Sequence, residues 1–142
     1  MPQDDPFHLQ RFLDAQADVY ETARAELAAG QKRSHWMWFI FPQIAGLGSS
    51  PMAQRYAIND LAEARAYLQH PTLGPRLIDC TTLVNQANKP VSAIFGYTDD
   101  LKFHSSVTLF AQASDVTPNV FSDALEKHFS GKPDPGTLSR LR

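Results

Sequence analysis

Six consecutive apolar residues, Trp36-Met37-Trp38-Phe39-Ile40-Phe41, run straight into Pro42. A stretch that is apolar on every side has no face to offer water, so any fold must bury most of it. Its length fits a short helix or a strand, and periodicity alone does not separate the two. The surrounding patterns are helical, which favours a short helix. Gln43 to Pro51 then carries Gly46, Gly48, Ser49 and Ser50, the composition of a connecting loop.

Upstream, Phe12, Leu13, Gln16, Tyr20, Ala23 and Leu27 recur at helical steps. Asp5-Pro6 is expected to open this helix and Gly30 to stop it, as one helix or as two with a kink near Asp18. Downstream, Pro51 starts a short helical piece through Tyr56. Asp60 and Glu63 form a capping-box pattern for a helix ended by His70-Pro71. Pro75 is expected to begin the next helix, with Leu77, Ile78, Thr81 and Val84 on its buried stripe. Val91 to Phe95 is a short apolar element closed by Gly96. Thr98 or Asp99 caps a helix through Ala113, with Phe103, Val107 and Phe110 facing inward. Pro118-Asn119 leads into a last helix carrying Phe121, Leu125 and Phe129, stopped by Gly131. No stretch alternates as a half-buried strand does. The expected fold is mainly α, an irregular multi-helix bundle of about six to eight short helices. One domain spans residues 1–142, with a short loose N-terminus at 1–4 and an irregular tail at 132–142.

At 142 residues the chain can bury roughly two-thirds of its unfolded surface without metal or disulfide support. Its 20% charged and 43% apolar composition is that of a globular protein. A net charge of −2 gives no basic excess for nucleic acid or a membrane surface. The acidic, polar start lacks the pattern of a signal peptide, and no run approaches the roughly 20 residues of a membrane span. A cytoplasmic location is the expectation. The single cysteine, Cys80, excludes an internal disulfide and a thiolate zinc cluster. The five histidines show no paired spacing for a metal on one helix face, so neither metal nor cofactor is expected.

Three stretches together carry a resemblance. The first is Lys32-Arg33-Ser34-His35 through Pro42-Gln43 with Gly46-Leu47-Gly48. The second is Ala64-Arg65-Ala66-Tyr67-Leu68 with His70-Pro71 and Leu73-Gly74. The third is Phe95-Gly96, Asp99-Asp100, Lys102 and Ser105-Ser106 through Thr108-Leu109-Phe110. In this order the chain resembles the bacterial family DUF 1810, a domain of unknown function, from Pro6-Phe7 through Asp134. The resemblance implies a compact, mainly helical fold and brings no catalytic residues with it.

The candidate chemistry lies in two places. Trp36 and Trp38 offer flat surfaces on which a base or nicotinamide ring could stack, although contiguous aromatics also serve as plain core. Lys102, Ser105 and Ser106 share one side of their helix, where an ammonium and two hydroxyls can hold a phosphate or carboxylate. The same hydroxyls can instead bond to carbonyls one turn earlier. Arg33 and His35 precede the aromatic run. Arg55 follows a glycine loop that matches neither a dinucleotide fingerprint nor a phosphate-binding loop. The expected ligand set is therefore Arg33, His35, Trp36, Trp38, Arg55, Lys102, Ser105 and Ser106, around a small anionic, nucleotide-like ligand. A tryptophan segment and a lysine-bearing helix are also combined around such ligands in the NADAR superfamily, a similarity of parts that points to nucleotide or ADP-ribose metabolism. The competing expectation is a non-catalytic helical interaction module that uses an exposed aromatic patch. No reaction and no oligomeric state follow from the sequence.

Overall fold

The computed structural model describes residues 5–116 and 119–141. The loose N-terminus expected at 1–4, and Pro118 ahead of the last long helix, lie outside the described residues. Among the described residues ten helices form: α1 (Gln10–Gln16), α2 (Tyr20–Ala28), α3 (Met37–Ile40), α4 (Pro51–Arg55), α5 (Leu61–Gln69), α6 (Leu73–Gln86), α7 (Val91–Phe95), α8 (Asp99–Ala113), α9 (Val120–Phe129) and α10 (Pro135–Arg140). Among the described residues the only β pairing is an isolated parallel bridge between Ile44 and Ile58.

Several ends differ from the sequence-based expectation, each for a local reason. The first helix opens at Gln10 instead of Pro6. The Asp5 carboxylate accepts from the amides of Leu9 (2.8 Å) and Gln10 (3.0 Å), so residues 6–9 form a turn that Asp5 closes. The chain then breaks between Gln16 and Tyr20, giving two helices near the Asp18 kink. Helix α6 starts at Leu73, which leaves Pro75 inside the first turn, where its missing N–H costs nothing. Asp60 caps α5 through Glu63 N as the pattern requires (2.9 Å), but the Glu63 carboxylate reaches back to the amide of Asn59 instead of Asp60. The tail expected to be irregular contains α10, because Asp134 caps it and Pro135 occupies its first position.

The core is aromatic and centres on α8, which packs against α5, α7, α9 and α10. Phe95 and Phe103 stack on each other (4.9 Å, 24°), and Phe41, at the end of the apolar run, packs edge-on against both, 5.8 Å and 86° from Phe95 and 5.1 Å and 87° from Phe103. That edge-to-face geometry is the favoured one for ring quadrupoles. Phe12, Trp36, Tyr67, Phe110 and Phe121 are also fully buried. Arg11 ties α1 to α5 from the side. Its guanidinium donates to the carbonyls of Phe7, His8, Arg55 and Ala57 and to Glu63 Oε2 at 2.9 Å. With those donors satisfied, the buried Glu63 charge is paired rather than stranded.

Candidate functional site

The loop from Lys32 to Trp36 is folded around one carboxylate. Glu26, on the last turns of α2, accepts from the amides of Arg33 (2.7 Å) and Ser34 (3.0 Å), the Ser34 hydroxyl (2.6 Å) and the Trp36 indole Nε1 (2.9 Å). Burial pushes its pKa up, but these four donors outweigh it and hold the group at about 2. Gly30 makes the reversal possible by taking φ +75°, a left-handed conformation that glycine adopts without penalty. The result fixes Trp36 as a fully buried wall with its N–H satisfied.

From that loop Lys32 reaches across to the N-terminal turn of α8. Its ammonium donates to the Ser34 carbonyl at 2.6 Å and pairs with Asp99 Oδ2 at 2.9 Å. The second oxygen of Asp99 meets the Lys102 ammonium at 3.2 Å. One carboxylate therefore serves two ammonium groups. Burial raises the Asp99 pKa, yet the two lysines bring it below the ordinary carboxylate value. Each ammonium also lies over an indole, Lys32 5.0 Å from the Trp36 ring and Lys102 5.3 Å from the Trp38 ring. Lys32 is enclosed, its side chain 8% exposed, whereas Lys102 remains 28% exposed.

Lys102 and Trp38 form one wall of a recess completed by Met37, Phe41, Gln43, Ala53 and Tyr56. Its free volume is about 10 Å³, about the room one water needs. Gln43 and Ala53 are brought together by the Ile44–Ile58 bridge, in which Ala45 N and Ile58 N each donate across at 2.8 Å.

The expected ligand set does not gather at one point. Trp38 and Lys102 meet at the recess, and Trp36 lies behind them in the core. Arg33 and His35 are exposed on the loop, and the Arg33 guanidinium bonds Gln31. Arg55 faces a separate groove that it shares with His8, Arg11 and Asn59. Ser105 turns away from the recess. Its hydroxyl lies 3.1 Å from the Leu101 carbonyl and 3.2 Å from Asp134 Oδ2, so the anion it meets belongs to the chain's own tail. Ser106 is buried, and its hydroxyl has no hydrogen-bond partner among the described residues. Sequence reasoning missed Asp99 as the shared partner of two lysines, and it missed Gln43 and Tyr56 altogether. The three-residue spacing of Asp99 and Lys102 was the available signal for the first.

Within the apolar run, Trp36, Met37, Ile40 and Phe41 are buried and Trp38 and Phe39 half-buried, so the run presents no exposed aromatic patch. Cys80 is buried, and burial pushes its thiol up to about 12, far from a reactive thiolate. Among the described residues no three His, Cys, Asp or Glu side chains converge as a metal site, and no helix is long and apolar enough to cross a membrane.

The profile of DUF1810, described as a protein family of unknown function, matches residues 6–141. The chain belongs to the DUF1810 family. A structural neighbour agrees with this membership. The crystal structure of a conserved hypothetical protein from Mycobacterium tuberculosis is 55% identical over 96% of this chain and 98% of its own, with a TM-score of 0.94. No curated protein matches the chain significantly. The neighbour shares the fold of this DUF1810 chain over nearly its whole length.

Proposed function

We propose that this chain binds a small molecule through an anionic group placed at the Lys102 recess. The observation that carries the reading is the Lys102 ammonium. It lines a concavity, it is partly exposed, and its carboxylate partner, Asp99, is already shared with Lys32. A charge-assisted contact to an incoming carboxylate or phosphate oxygen therefore costs it little. The recess admits one water-sized group, so one such oxygen enters while the rest of the ligand lies outside along the half-buried Trp38. When Lys102 swings from the Trp38 face to the anion, it frees that face for a ring. A nucleotide, dinucleotide or ADP-ribose derivative carries both an anion and a ring, and turnover of such a ligand is the enzymatic extension of this reading.

A thermal-shift screen against nucleotides, NAD, ADP-ribose and phosphosugars tests it. A ligand at 100 times its dissociation constant adds about 2.7 kcal/mol, a readable rise in melting temperature. The expected result is a shift that is lost in Lys102→Ala, while the free variant melts within a few degrees of wild type. A large loss of stability in the free variant would assign Lys102 to the fold instead.

A second reading, an interaction module, draws on Tyr97 and Leu101, which stand 85% and 52% exposed at the head of α8. Under that reading no small anion shifts the melting temperature, and Tyr97→Ser abolishes self-association or partner capture.

A further inference from the structure

Resting on the anion-site reading above, we infer that the group bound at Lys102 is singly charged, a carboxylate or a phosphodiester-type phosphate. A terminal phosphate monoester, doubly charged at neutral pH, does not suit the site. The inference follows from how charge is distributed among Lys32, Asp99 and Lys102. Lys32 is held by the Ser34 carbonyl and Asp99 and is almost wholly enclosed, so its charge is already committed. Of the two lysines, Lys102 is the one free to turn toward a ligand. When it does, Asp99 keeps Lys32 as its partner and the ligand anion takes Lys102. Two cations then face two single negative charges, and each is paired.

A doubly charged group breaks that balance. Its second charge would sit beside the Asp99 carboxylate, which is only 3.2 Å from Lys102 and held ionised by the two lysines. Among the described residues no other cation lines the recess, whose remaining walls are Met37, Trp38, Phe41, Gln43, Ala53 and Tyr56. Gln43 offers a neutral amide, which hydrogen-bonds an oxygen without balancing a charge. An unpaired charge in a partly desolvated place is costly. Asp99 is therefore an internal competitor that sets the valence of the ligand.

The test compares two tetrahedral probes of nearly the same shape, dimethyl phosphate with one charge and methyl phosphate with two. Each is titrated into the whole protein and followed by NMR, at a pH about two units above the second phosphate pKa of about 6. Wild type is expected to bind dimethyl phosphate more tightly than methyl phosphate. In Asp99→Asn the order reverses, with methyl phosphate binding about tenfold tighter than to wild type. Asp100→Asn, one residue along the same turn, leaves the wild-type order in place. Lys32→Gln weakens both probes, because Asp99 then leans wholly on Lys102, and this arm holds even where Asp99→Asn loosens the start of α8. Tighter binding of methyl phosphate to wild type, or an unchanged order in Asp99→Asn, overturns the inference and leaves an anion site standing. Binding of neither probe to wild type overturns the anion-site reading itself.

Discussion

Glu26 holds four hydrogen-bond donors from the Arg33–Trp36 segment, and its behaviour with pH follows from them. Its pKa in the folded protein is about 2, against an ordinary 4.5. Folding therefore favours the ionised form. The stability this brings is complete above about pH 4.5 and is lost as the pH falls toward 2. The expected consequence is measurable by acid melts of wild type and Glu26→Gln. Wild type melts higher at neutral pH, and its advantage shrinks across that acid window. A difference that stays flat with pH would contradict this assignment. None of this was legible in the sequence, because a carboxylate on an exposed helical pattern and an indole ten positions later share no periodicity. Only the reversal at Gly30 brings them together. Lys102 was legible as a candidate because its neighbours on α8 are fixed by helical spacing, but the direction of Ser105 was not. Its partner, Asp134, comes from the far end of the chain.

Among the elements, α10 contributes most that the sequence concealed. Asp134 accepts from the Thr137 amide (3.0 Å), the Thr137 hydroxyl (2.7 Å) and Ser105, while its own amide donates to Thr108. The short helix is thereby fastened to α8. Its far side meets the glycine loop, where the flexible Arg140 guanidinium lies against Gly46. Gly46 sits at φ +97°, and it is this backbone conformation that selects glycine there. Asp134→Ala removes a helix cap worth about 1 kcal/mol. Amide exchange should accelerate in α10 and at Gly46 and Leu47 and stay unchanged in α5 and α6. Uniform acceleration over the whole chain, or none, would show that α10 is not held this way. The longer helices were readable because a repeated apolar stripe is a strong signal. A six-residue helix has too few turns to show one, and only its Asp-Pro start marks it.

At the scale of the molecule, the apolar run from Trp36 to Phe41 decides both the fold and the site. Its obligatory burial was evident from composition, and Phe41 meets that demand edge-on against the stacked Phe95 and Phe103 rings. Which of its two indoles would remain partly accessible was not evident, since that depends on where α8 crosses the run. Trp36 ends up bonded to Glu26 inside the core, whereas Trp38 borders the Lys102 recess. This division gives the central claim an internal control. The two indole N–H resonances are followed by NMR while dimethyl phosphate is added to wild type and to Lys102→Ala. Anion binding at Lys102 predicts that the Trp38 signal moves saturably in wild type, stays fixed in the variant, and that the Trp36 signal is fixed in both. A Trp38 signal that does not move, or that moves equally without Lys102, would contradict the account.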